Sequence, residues 1–143
     1  MRTTINLRQT LHQLINRYES IAEQHKNYFI SQDLSTLYVS CEEEILSTLL
    51  NSLFYLSARC NRNSSITVSA VSYNDMAGIS LLSNYSGNAQ AILYGFQHFD
   101  LLANEIDGHL DISSYRNRES VVSFTFKNYK TAMPFTPAGR KAA

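Results

Sequence analysis

The chain has 143 residues, 44% hydrophobic and 17% charged, and its twelve basic and twelve acidic side chains cancel. That length suits one domain with one buried core. The balanced charge gives no electrostatic reason to expect nucleic-acid or anionic-membrane binding. Cys41 and Cys60 lie far apart and in no metal-like spacing, so a reducing cytoplasm suits them better than a disulfide scaffold. The opening Met1-Arg2-Thr3-Thr4-Ile5 lacks the apolar core of a signal peptide. No apolar run approaches the ~18 residues that a membrane span needs.

Residues 5–26 carry Leu7, Leu11, Leu14, Ile15, Tyr18, Ile21 and Ala22 at helical spacing, opposed by polar side chains. This predicts an amphipathic helix with Asn6 as its N-cap. Tyr28-Phe29-Ile30 and Leu37-Tyr38-Val39 read as short strands joined by the polar Ser31-Gln32-Asp33 turn. A second helix is expected to begin near Cys41, capped by Ser40, with Glu42, Glu43 and Glu44 favourable against its dipole. Residues 45–56 are apolar almost all round, which predicts the central core helix. Ile66, Val68 and Ala70 alternate with Thr67 and Ser69 as a half-buried strand. Tyr73-Asn74-Asp75-Met76 turns the chain into a further strand over 78–82, and 83–88 read as loop. Residues 92–106 return to helical spacing, ended by Asp107-Gly108. Leu110 and Ile112, then Val121, Val122, Phe124 and Phe126, predict a hairpin across Arg116-Asn117-Arg118. Residues 1–128 thus form one domain, and 129–143, with Pro134 and Pro137, read as a flexible tail. The fold class is α+β: a two-layer sandwich, its mixed sheet mostly antiparallel, with helices on one face.

This element order and several strings resemble the ATP-binding domain of sensor histidine kinases, the GHKL or Bergerat fold, over residues 6–126. Asn6-Leu7-Arg8-Gln9-Thr10-Leu11 is similar to the family's lead-in to its first helix. Leu49-Leu50-Asn51-Ser52-Leu53-Phe54-Tyr55-Leu56 falls where the family has its N box, and Ser65-Ile66-Thr67-Val68-Ser69-Ala70 reads like the strand after it. Gly95-Phe96 and residues 103–112 resemble the last glycine box, the third helix and the next strand.

The resemblance implies that ATP would sit between the N-box helix and a glycine-rich loop, with an N-box side chain on Mg²⁺. Hard Mg²⁺ wants oxygen ligands, and phosphates want free backbone N–H groups in a concave loop. Asn51 matches the first polar N-box position, but Tyr55 stands where the family usually carries its Mg²⁺-coordinating Asn. Leu56 replaces a small neighbour, and the plainest reading of Tyr55 is a core aromatic filling a vacated pocket. The adenine-recognising position falls at or near Asn84, and the family's Asp-x-Gly-x-Gly is Asn84-Tyr85-Ser86-Gly87-Asn88 here. Only about six residues separate this loop from Gly95, so the phosphate lid is essentially missing. Asn51, Tyr55, Asn84, Ser86, Gly87, Asn88 and Gly95 therefore make up a vestigial nucleotide pocket.

No catalytic residue and no metal ligand stands out; His12, His25, His98 and His109 are in no ligand-like spacing. Arg59, Arg62, Arg116 and Arg118 read as solubilising loop residues. The expected function is a non-catalytic, kinase-derived module in two-component or phosphorelay signalling, with no cofactor. The alternative is a divergent but working ATP-binding domain using ATP and Mg²⁺. The expected partner is a histidine kinase, a phosphotransfer domain or a response regulator, and self-association to a homodimer stays open. Tyr85, Ile92 and Tyr94, where the lid would have been, are the expected docking residues, beside Phe96 and Phe99.

Overall fold

The computed structural model describes residues 2–32, 34, 36–84, 89–114 and 119–129. Strand β1 (Arg2–Asn6) leads directly into helix α1 (Leu7–Gln24), followed by β2 (Tyr28–Ser31) and β3 (Tyr38–Glu42). Helix α2 (Glu43–Cys60), strands β4 (Ser65–Tyr73) and β5 (Met76–Ser83), and helix α3 (Ala89–Phe96) come next. A 3₁₀ turn over Gln97–Phe99, helix α4 (Asp100–Asn104) and strands β6 (His109–Ser114) and β7 (Ser120–Lys127) complete the described chain.

Five strands form one sheet in the order β2-β4-β5-β7-β6, antiparallel throughout except for the parallel pair β2–β4. The inward side chains Ile66, Val68, Ile79, Leu81, Val122, Phe124 and Phe126 meet the helices in one buried core. From α2 alone, Leu46, Leu49, Leu50, Leu53, Phe54 and Ala58 are buried, so its all-round apolarity does mark the central helix. Aromatic pairs bridge the layers: Phe29 on Phe54 at 5.3 Å between centroids, and Phe96 edge-on to Phe124 at 5.6 Å.

Local chemistry sets most element ends. Asn6 Oδ1 accepts the Gln9 N–H at 3.2 Å, the expected cap of α1. The helix closes through Lys26 at φ 61°, with Asn27 N–H reaching back to Ala22 O at 2.8 Å. Asn74, at φ 53°, makes the two-residue turn that pairs Tyr73 with Met76.

Several expectations are corrected. β2 and β3 do not share a sheet: β2 is an edge strand parallel to β4, whereas β3 pairs antiparallel with β1 in a separate two-stranded ribbon. The two strands on either side of the polar stretch therefore do not make a hairpin. Strand β3 also runs on to Glu42, so α2 starts two residues later than its acidic run suggested, and its N-cap makes no side-chain hydrogen bond. The helix expected over 92–106 starts earlier, at Ala89, and breaks into α3, the 3₁₀ turn and α4. That break lets Phe96 reach Phe124 while Phe99 packs back on Phe96 at 6.0 Å. The turn across Arg116-Asn117-Arg118 and all of the tail after residue 129 lie outside the described residues. Tyr129 itself lies under the Arg2 guanidinium, 3.5 Å from ring centroid to Cζ.

Gly108 is required by contact and not by backbone angle. The left-handed residue at this corner is Asp107, at φ 52°. A Cβ on Gly108 would come within 2.7 Å of Phe124 Cζ and 3.1 Å of the Ala103 carbonyl. Phe124 is fully buried and the carbonyl is backbone, so neither can give way cheaply. Gly108→Ala is therefore expected to cost about 1–3 kcal/mol, read by urea denaturation; an unchanged midpoint would show that the corner can open.

Candidate functional site

Asn51 and Tyr55 stand one turn apart on α2, where the resemblance would put the metal-binding face. Asn51 is saturated. Its Nδ2 donates to Ser47 O at 2.8 Å and to Ser47 Oγ at 3.3 Å. Its Oδ1 accepts from Arg17 Nη1 and from Tyr18 Oη of α1, both at 2.7 Å. Tyr55 is 36% exposed, which corrects its reading as a core aromatic. Its ring stands edge-on to Tyr18 at 6.3 Å, and its hydroxyl accepts from Arg59 Nη1 at 2.7 Å. A Mg²⁺ ion at this face would have to displace two donors from Asn51 and would meet a guanidinium at Tyr55. A neutral phenol beside a cation is a poor donor set for a hard dication.

Leu56 points the other way, towards α3. A Cβ on Gly95 would lie 2.8 Å from Leu56 Cδ2 and 3.2 Å from Cδ1, so the glycine lets α3 close against α2. Gly95 is the penultimate residue of an eight-residue helix, so its N–H belongs to the helical ladder. It is thus not an open-loop amide of the kind that cradles phosphate.

Asn84 follows β5 and is tied to the start of β4. Its N–H donates to Ser65 O at 3.2 Å, and its Oδ1 accepts the Ser65 N–H at 2.9 Å. The side chain continues the ladder by one bond, leaving one lone pair of Oδ1 for anything else. Tyr85, Ser86, Gly87 and Asn88 lie outside the described residues.

Of the expected docking residues, Tyr94 is 73% exposed but Ile92 is only 1% exposed, and that is a correction. Ala89, Ile92 and Phe96 form the buried face of α3, spaced three and four residues apart, a helical signal present in the sequence. Phe96 is buried too, and Phe99 is packed against the core.

Sequence reading missed Arg17 and Tyr18, and it placed Arg59 in a loop. The i, i+4 ladder Ser47, Asn51, Tyr55, Arg59 was visible as a helix stripe, but its partners on α1 depend on how the two helices pack. A separate cleft of about 300 Å³, flanked by Phe96, Gln97, Asp100, Asn104 and His109, runs between α3, α4 and β6. Apart from Gly95's neighbour Phe96, it involves none of the positions above.

No protein-family profile matches this sequence, and no curated protein matches it either. Solved structures do. Histidine kinase AdeS of Acinetobacter baumannii superposes with TM-score 0.69 at 11% identity, over 91% of this chain and 68% of that one. The mycobacterial sensor histidine kinase MprB gives 0.70 at 9% identity, over 90% and 98%. The catalytic domain of histidine kinase ThkA gives 0.69 at 12% identity, over 90% and 96%. ThkA in complex with the response regulator protein TrrA matches at 0.69 and 12%, over 92% of this chain and 43% of that one. The chain has the fold of a histidine kinase catalytic domain. Among the described residues, no helix is long and apolar enough to cross a membrane.

Proposed function

We propose that this chain is a kinase-derived module of two-component or phosphorelay signalling that acts by binding another protein and does not bind nucleotide. The observation that carries this reading is the contact of Gly95 with Leu56. The glycine that resembles the phosphate-cradling one lies inside α3, and α3 rests on the N-box helix. The donor set at Asn51 and Tyr55 supports the same reading, because the Asn51 amide is fully hydrogen-bonded and Tyr55 meets a guanidinium. A fold alone does not imply its usual chemistry. The partner class is a histidine kinase, a phosphotransfer domain or a response regulator, and the ThkA complex with TrrA gives a precedent for a response regulator.

Thermal melting with and without millimolar ATP and Mg²⁺ tests the reading. A ligand that binds only the native state must raise its stability by mass action. No shift in melting temperature is expected; a rise of several degrees that needs both ATP and Mg²⁺ would restore the working ATP-binding domain.

A further inference from the structure

We propose that the α1–α2 face built from Arg17, Tyr18, Tyr55 and Arg59 is a docking surface for an acidic segment of a partner protein. This rests on the reading that the chain acts by protein binding, and it names the surface and its chemistry. The four side chains form one connected strip. Arg17 and Tyr18 converge on Asn51 Oδ1, Tyr18 stands against Tyr55, and Tyr55 receives Arg59. Among the described residues neither guanidinium has a carboxylate within ion-pair distance; each spends one N–H on a neutral oxygen and keeps the rest of its donors.

Two features favour an acidic protein segment. Tyrosine and arginine are the residue types that dominate binding energy at interfaces. These are also held in place by hydrogen bonds before any partner arrives, which lowers the ordering cost of association. Arg17 is anchored at Asn51 and Arg59 at the hydroxyl of Tyr55, one helical turn further along α2, so the two guanidiniums are fixed side by side on one strip. Neighbouring carboxylates on a partner can engage both, because the planar guanidinium fork binds carboxylate in bidentate fashion.

A second copy of this chain fits less well. Glu43 lies as far before Asn51 as Arg59 lies after it, and Thr3 Oγ1 donates to it at 3.3 Å. An antiparallel copy centred on Asn51 would set Glu43 against Arg59. It would also bring the two Arg17 side chains together at the axis, a like-charge contact that disfavours the pair.

The test uses the full chain and a fluorescein-labelled peptide of alternating glutamate and serine, followed by fluorescence anisotropy at low salt. The Arg17→Gln/Arg59→Gln double variant is expected to bind at least about tenfold more weakly with an unchanged melting temperature. Arg8→Gln, nine residues before Arg17 and so on the opposite face of α1, is expected to bind like the parent. Equal weakening by Arg8→Gln, or no weakening in the double variant, would overturn the proposal. So would a dimer in sedimentation that Arg59→Gln dissolves, because a second copy would then cover the face. Displacement of the peptide by ATP would overturn it too, by assigning the face to nucleotide. Peptide binding that persists beside ATP binding at another place would support this surface while removing the nucleotide-free reading.

Discussion

Leu53→Ala is expected to lower stability by about 2–5 kcal/mol, and Leu50→Ala by a similar amount. Both side chains are fully buried on α2, the helix that packs between α1 and α3 on the same face of the sheet. Each truncation removes apolar surface and leaves a cavity, and a helix gripped on several sides cannot move to fill it. Urea denaturation of the two single variants measures the effect. Losses below about 1 kcal/mol in both would mean that α2 is not the centre of the core.

Asn27→Ala is expected to cost about 3–5 kcal/mol, although it removes no apolar group from the core. Asn27 is buried where α1 hands over to β2. Its Nδ2 donates to Ala58 O at 3.0 Å and to Asn61 O at 2.7 Å, and its Oδ1 accepts the Ser64 N–H at 2.9 Å. One amide thus joins the end of α1, the end of α2 and the start of β4. Alanine would strand two carbonyls and one N–H at a buried position, and each unsatisfied group costs about 1–3 kcal/mol. Chemical denaturation reads the total. A loss under about 1 kcal/mol would show that the three backbone groups find other partners.

The same residue illustrates what the sequence could and could not disclose. Asn27 sits in the unremarkable stretch between a helix and a short strand, and its partners are more than thirty positions away. Features set by near neighbours were legible: the Asn6 cap, the helical spacing of α1, the all-round apolarity of α2 and the Asn74 turn. Pairings across the chain were not. Strand β1 has one buried side chain, Ile5, and only its register with β3 reveals it as a strand. β2 is extended by composition, but its parallel place beside β4 depends on a crossover through α2.

The candidate site divides along the same line. The substitutions at Tyr55, Leu56 and Asn84 could be read one residue at a time. What they do in space could not. Tyr55 turns out to face α1 and solvent, Leu56 meets Gly95, and Asn84 spends its oxygen on Ser65. Ile92 belongs to the interior, and its spacing with Ala89 and Phe96 marks that buried helix face in the sequence itself. The Arg17–Asn51–Tyr18 junction was beyond reach, since two helices must first pack to create it.

If closure of α3 on α2 has replaced the nucleotide site, as proposed, nuclear magnetic resonance at the residues of that contact reads it out. Uniformly ¹⁵N-labelled protein is titrated with ATP and Mg²⁺ to millimolar concentration while the amides of Leu56, Asn84 and Gly95 are followed. All three resonances are expected to stay in place, and the Gly95 amide, held within α3, is expected to exchange slowly with solvent throughout. Saturable displacement of those three resonances by ATP with Mg²⁺ would contradict it.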